Sequence, residues 1–225
     1  MSSLQTPHTP CLIPPMSLFK RKILYTRELM QELSPRYVRG KVLDLGAGKT
    51  KYRPIFEEHA SEYVSCDTFE APHIDHVEDA EHLSYDDESF DTVICTMVFE
   101  HVQRPWVVAA EIERILKPGG HCIVTAPFMF PYHQDPEDYF RFSTAGMASL
   151  FPHLETVEAA KYGGSAALVE SCWRMAYCSP YKKGHSFLRR NIYRVIRIFF
   201  EGIDRRMPPP KDIYCNVYFV GKKQG

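Results

Sequence analysis

The sequence has no surplus of either charge: 27 lysines and arginines stand against 28 aspartates and glutamates, a formal net charge of -1. A chain so balanced exerts no global pull on a polyanion, so no nucleic-acid partner is expected and any basic surface has to be local. It also lacks a Cys-x-x-Cys pair; its seven cysteines (Cys11, Cys66, Cys95, Cys122, Cys172, Cys178, Cys215) are odd in number, and several sit in apolar runs. That argues against a structural zinc site and a complete disulfide framework, and it suits a reducing cytoplasm; no metal is expected. No run approaches the roughly 20 apolar residues of a membrane span. Met1 to Pro15 is rich in Pro, Ser and Thr but lacks the basic-then-apolar order of a signal peptide. What is present is 225 residues, 44% hydrophobic and 24% charged, which suits one large domain with its own core.

Residues 1–19 read as a Pro-rich leader, and 20–225 as the folded domain. The spacing of Ile23, Leu24, Arg27, Leu29, Met30 and Leu33 predicts a helix from about Lys20 that stops before Pro35. Strands are expected at Lys41 to Leu45, Tyr63 to Cys66, Asp75 to Val77, Asp91 to Thr96, His121 to Ala126, Thr156 to Lys161 and Ile213 to Val220. Helices are expected near Lys51 to Ala60, Pro105 to Leu116 and Thr144 to Leu150, with Pro118-Gly119-Gly120 turning the chain into the next strand. Such alternation implies βαβ units and a mostly parallel sheet with helices on both faces. From about 164 to 210 the rhythm becomes helical throughout, a helical insertion or cap before the last strand.

The most informative stretch is Val42-Leu43-Asp44-Leu45-Gly46-Ala47-Gly48, a buried strand ending in Gly-x-Gly. Glycines there allow a tight turn with positive φ and let a ligand lie against main-chain N–H groups. A dinucleotide fingerprint wants a third glycine where Lys51 stands, and a P-loop wants a glycine where Leu43 stands, so both fit poorly. Asp44, two residues before the first glycine, favours a cationic group near the turn, such as the ammonium of S-adenosylmethionine, over a phosphate. Asp67 ends the second strand, where a carboxylate can accept from both ribose hydroxyls, and Asp79 with Ala80 follows the third, in reach of an adenine amine. Each has a plainer reading: Asp67 as a turn cap, Asp79 as one of the acids of a solvated loop.

These residues, together with Ser89 to Cys95, Glu100-His101-Val102 and Glu113 to Gly120, resemble the class I S-adenosylmethionine-dependent methyltransferases of the small-molecule type. The likeness covers about residues 40 to 127 and reaches the C-terminus through the last strand. It implies an α/β Rossmann-like sheet of seven strands in the order 3-2-1-4-5-7-6, the last one antiparallel, with S-adenosylmethionine across the carboxyl ends of the first strands. The candidate cofactor contacts are Asp44, Leu45, Gly46, Ala47, Gly48, Asp67, Thr68, Asp79, Ala80 and Met97. Thr50 stands where the family often has a third glycine. A narrower likeness lies in Pro127-x-x-x-Pro131-x-His133 and Asp138-Tyr139-x-Arg141-Phe142, a pattern of a subgroup associated with glycosyl metabolism in bacteria.

Methyl transfer is an in-line displacement, so the enzyme must align acceptor, methyl carbon and sulfur, and a base is needed only if the acceptor has a proton to lose. His133 is the first candidate base, His101 the second; each also has a packing or backbone-bonding alternative. Tyr132, Asp138, Tyr139 and Arg141 are candidate substrate contacts, unless Arg141 only pairs with Asp138. The acceptor would be a small or glycosyl-type molecule methylated on oxygen or nitrogen; the competing reading is a cofactor-binding but inactive partner subunit. Between Lys182 and Arg206 basic residues flank an apolar stripe of Leu188, Ile192, Val195, Ile196, Phe199 and Ile203. That helix, about 187–206, either packs on its own domain or rests on an anionic membrane surface.

Overall fold

The computed structural model describes residues 22–134, 136–178, 187–208 and 212–225. The Pro-rich leader, Asp135, Lys182 and Lys183 lie outside the described residues. Seven strands, β1 (Lys41–Leu45), β2 (Glu62–Asp67), β3 (His76–Val77), β4 (Phe90–Thr96), β5 (Leu116–Pro127), β6 (Leu154–Tyr162) and β7 (Asn216–Lys223), form one sheet in the order β3-β2-β1-β4-β5-β7-β6. Six run in the same direction, and β7 alone is reversed, pairing antiparallel with both β5 and β6.

Period-two alternation divides the strand residues between two cores. Leu43, Leu45, Val93, Cys95, Cys122, Val124, Val217 and Phe219 face the helices α3 (Pro105–Ile115) and α4 (Thr144–Ala148). Val42, Ile94, Ile123, Tyr218 and Val220 face α1 (Thr26–Tyr37) and α2 (Arg53–Glu57). The helices answer with matching stripes: Leu29, Met30, Leu33 and Tyr37 on α1, and Val108, Ala109, Ile112 and Ile115 on α3. Each large aliphatic group so buried stabilises the fold by about 1.5–3 kcal/mol.

One boundary corrects the sequence reading in a simple way. α1 does not stop before Pro35 but runs through it to Tyr37. Pro35 lies on the exposed face of the last turn, and Gln31, whose carbonyl it cannot serve, is exposed as well, where solvent can serve as donor instead.

Between β6 and β7 stand α5 (Ser165–Cys178) and α6 (Phe187–Arg206). Asp204, fully buried on α6, accepts from the N–H groups of Ala166 and Ala167 and so satisfies the first turn of α5. The apolar stripe of α6 is split. Ile196 and Ile203 are half-buried, whereas Ile192, Val195, Ile198 and Phe199 are exposed. Among the described residues, no helix is long and apolar enough to cross a membrane.

Candidate active site

The strand order reverses direction between β1 and β4, whose onward connections leave on opposite faces of the sheet. Such a switch point opens a crevice at the carboxyl ends of the strands. A cavity of about 750 Å³ lies there, walled by the residues that follow β1 (Gly46, Gly48), β2 (Asp67, Thr68), β3 (Glu78, Asp79, Ala80) and β4 (Met97, Val98, His101). Of the sequence-derived candidates, Leu45, Gly46, Gly48, Asp67, Thr68, Asp79, Ala80, Met97, His101 and Tyr139 wall this single cavity.

The glycine turn is built differently from the sequence expectation. Its N–H groups do not point at a ligand: Gly46 and Ala47 both donate to the Cys66 carbonyl at 2.9 and 3.0 Å, and Gly48 donates to Asp67 Oδ2 at 2.8 Å. The donors are spent on seating the turn against β2, and Ala47, unlike the two glycines, is not part of the cavity wall. The glycines serve by what they lack. Gly46 has φ +71°, and a β-carbon there would run into Val98 Cγ2; Gly48 has φ +56° and open space where its β-carbon would be. Thr50 also adopts a left-handed φ of +47°, so the backbone keeps the conformation a third glycine would favour.

Asp44 is buried behind the wall, not in it. Its Oδ2 accepts from the Tyr63 hydroxyl at 2.7 Å, and its Oδ1 meets no hydrogen-bond donor among the described residues. Burial, with a smaller contribution from neighbouring Asp67, pushes its pKa up to about 6 against the pull of Tyr63 and Lys51. Asp67 accepts from Gly48 through Oδ2 and, through Oδ1, from the Thr68 N–H at 2.7 Å and hydroxyl at 3.4 Å, which leaves a lone pair on Oδ2 for a ligand. Asp79 Oδ1 caps the N–H of Glu81 at 2.9 Å, and Glu81 in turn pairs with Arg104 at 2.5 Å, fixing the acidic loop to the start of α3. The sequence reading missed Phe69 and Val77, which line the same cavity at 45% and 55% exposure. Two large apolar groups left open beside an acidic strand end are the signal that could have found them, since they offer a flat base an apolar bed.

On the other side of the cavity, the segment after β5 is pinned to the 3-10 turn Phe99–His101 by its backbone: Tyr139 and Phe140 donate to the Glu100 carbonyl at 2.7 and 3.3 Å. This brings His101 and His133, thirty-two positions apart, edge to face at 5.0 Å between ring centres. Only His101 reaches the cavity, beside Gln103 and Tyr139, whose hydroxyl accepts from Gln103 Nε2 at 3.0 Å. His133 stands behind it. Tyr132 points to solvent at 63% exposure. Asp138 and Arg141 form a bidentate pair, and Arg141 also donates to the carbonyls of Phe130, Pro131 and Phe140. Of the expected substrate contacts, Tyr139 walls the cavity, whereas Tyr132, Asp138 and Arg141 do not, and the charged pair braces the loop.

A cavity at this switch point, with two strand-end carboxylates beside a glycine turn, defines an α/β protein that binds an adenosyl-type cofactor. Residues 43–124 match the family described as "Methyltransferase domain". The fold recurs in a SAM-dependent methyltransferase from Archaeoglobus fulgidus, TM-score 0.57 at 18% identity, covering 88% of this chain and 95% of that one. It recurs in Haemonchus contortus phosphoethanolamine N-methyltransferase 2 in complex with S-adenosyl-L-methionine, TM-score 0.58 at 14% identity, covering 88% and 52%. A third likeness is the 4+2 cyclase SpnF, TM-score 0.57 at 14% identity, covering 88% and 79%. No curated protein matches the chain by sequence. The domain is that of a class I S-adenosylmethionine-dependent methyltransferase, and the residues present fit its cofactor. A buried carboxylate with one oxygen unpartnered awaits a cation, two wall carboxylates retain free lone pairs, and Gly48 leaves room for close approach.

Proposed function

We propose that this protein transfers the methyl group of S-adenosylmethionine to an oxygen or nitrogen of a small or glycosyl-type acceptor. One observation carries the reading: a single cavity has Asp67, Asp79 and the Gly46–Gly48 turn on one side and His101, Gln103 and Tyr139 on the other. Asp67 would hold the ribose, Asp79 the adenine end, and Asp44 would act on the ammonium from behind the turn. The cofactor supplies an electrophilic methyl on a sulfonium. The chain's own residues bind, orient and exclude water, a contribution worth several kcal/mol, on the order of the lower end of known proximity effects. When the acceptor is a hydroxyl, its oxygen forms the new bond to the methyl carbon, the carbon–sulfur pair returns to sulfur, and the proton leaves at the polar wall formed by His101. His133, the base favoured by the sequence, stands behind His101 and does not line the cavity.

The fold by itself does not choose the reaction, as the cyclase likeness makes plain. Purified protein incubated with methyl-labelled S-adenosylmethionine and a small-molecule extract decides it. Transfer of label to an extract component is the expected result, whereas tight cofactor binding with no transfer would establish the inactive partner subunit instead. The exposed Ile192, Val195, Ile198 and Phe199, beside Arg194 and Arg197, favour a peripheral contact of α6 with an anionic membrane, from which a lipid-linked acceptor could be reached. Co-sedimentation with anionic but not neutral vesicles is expected, and no difference between the two would sink that contact. The free state of Cys66, Cys95, Cys122, Cys172 and Cys215 supports residence in a reducing cytoplasm, to be checked by cell fractionation.

A further inference from the structure

Glu100 stands out among the charged residues of this domain. Its side chain is 1% exposed, its Oε2 has no hydrogen-bond partner among the described residues, and its Oε1 lies 3.8 Å from His101 Nε2. Ionised carboxylates are not left buried and half-satisfied without a compensating positive charge. The nearest fixed cation does not serve it: Arg141 is committed to Asp138.

The groups around Glu100 are arranged for a different kind of cation. One donor atom each from Glu100, His101 and His133 lie within 4.8 Å of one another. Both imidazoles are held from their far side. His101 Nδ1 sits on the Glu137 carbonyl oxygen, and His133 Nδ1 lies 3.3 Å from the Pro131 carbonyl oxygen and 3.5 Å from Asp138 Oδ2. Carbonyl and carboxylate oxygens only accept, so each Nδ1 carries the proton and each Nε2 keeps its lone pair. A histidine whose Nδ1–H is anchored on an oxygen and whose Nε2 is free is the arrangement found behind metal-bound histidines. Asp138, the anchor for His133, is itself fixed by Arg141, and the loop that carries both is pinned to the Glu100 carbonyl.

We propose that Glu100, His101 and His133 bind a divalent transition-metal ion of the zinc type, with a coordination position left open toward the cavity at His101. Two imidazoles and one carboxylate with an open position form a donor set that suits zinc and its neighbours and leaves room for an exogenous oxygen. Resting on the methyl-transfer reading, the site selects acceptors with a hydroxyl that can enter the open position. Coordination lowers the hydroxyl's pKa, the proton passes to solvent, and the oxygen displaces the neutral thioether from the methyl carbon.

The test uses untagged full-length protein stripped with a chelator, without S-adenosylmethionine, titrated with Zn²⁺ by calorimetry and with Co²⁺ by visible absorption. The expected result is one ion per chain and a Co²⁺ spectrum of low-coordinate type. Binding should weaken by at least about 100-fold in His101→Ala, His133→Ala and the shape-preserving Glu100→Gln, and stay unchanged in the exposed His153→Ala. Circular dichroism melts confirm that each variant folds. No stoichiometric binding by the wild type, or binding that survives the His101→Ala/His133→Ala pair, overturns the proposal. Because metal binding is read without cofactor or acceptor, stoichiometric binding in a protein that transfers no methyl would support the site while refuting the methyl-transfer reading alone.

Discussion

Asp44→Asn separates the two effects that a buried carboxylate has on this protein. Asp44 is 2% exposed, and its pKa rises from the usual 3.8 to about 6, mainly through burial. At about 1.4 kcal/mol per pH unit, that displacement corresponds to roughly 3 kcal/mol as an upper bound. Between the two values the folded chain holds a proton that the unfolded chain has lost. The stability contributed by that proton is therefore complete below pH 3.8 and is lost as pH rises through 6. Asparagine keeps the shape and can still accept from the Tyr63 hydroxyl, but it never ionises. The cofactor-free variant should be more stable than the wild type by about 1–3 kcal/mol at pH 7.5 and should lose that advantage by about pH 4. Binding moves the other way: the variant loses the attraction of the buried charge for the cofactor's ammonium, for which a direct charge-assisted contact, worth about 1.5–3 kcal/mol, is the upper bound, so affinity should fall by up to roughly 10- to 150-fold. Urea unfolding at the two pH values reads the first effect, and calorimetry with S-adenosylhomocysteine the second. A variant that binds the cofactor as well as the wild type, or that is destabilised equally at both pH values, would refute the reasoning.

Two backbone substitutions test the glycine turn from opposite directions. Gly46→Ala puts a methyl against Val98 Cγ2 at a φ of +71°; a stability loss of about 2 kcal/mol or more and a large loss of cofactor affinity are expected from thermal melts with and without S-adenosylhomocysteine. Thr50→Gly relieves a β-branched residue at φ +47°, for a net gain of about 0.5–1 kcal/mol after the added flexibility of the unfolded chain is subtracted; a lower midpoint in urea would show that the threonine is not strained.

What could be read from the sequence was what depends on short range. The strand ending in Gly46-Ala47-Gly48, the carboxylates at successive strand ends and the alternation that builds two cores are all carried by neighbouring residues, and the sheet follows the order that the family resemblance implied. What could not be read depends on partners far along the chain. The N–H groups of the turn are taken by Cys66 and Asp67, about twenty residues on, and no local pattern announces which donors a turn has already spent. Arg141 is the opposite case: its pairing with Asp138, three residues before it, is a local alternative that the sequence itself offers.

The two walls of the cavity also differ in how they are held, and the difference bears on which one sets specificity. The cofactor wall is made of residues at the ends of β1, β2 and β4, fixed by sheet pairing on both sides of β1. The other wall belongs to a long segment between β5 and α4 whose backbone is tied at three places: Phe128 and Met129 donate to the Cys215 carbonyl, Tyr139 and Phe140 to that of Glu100, and Phe142 to that of Pro127. A wall built from strand ends cannot change without disturbing the sheet. One tied down at a few backbone bonds can change its side chains freely. On the proposed methyl-transfer reading, acceptor choice belongs to the segment between β5 and α4. Its ordered core, the Asp138–Arg141 brace, is the part whose loss should alter acceptor selection before it alters cofactor binding.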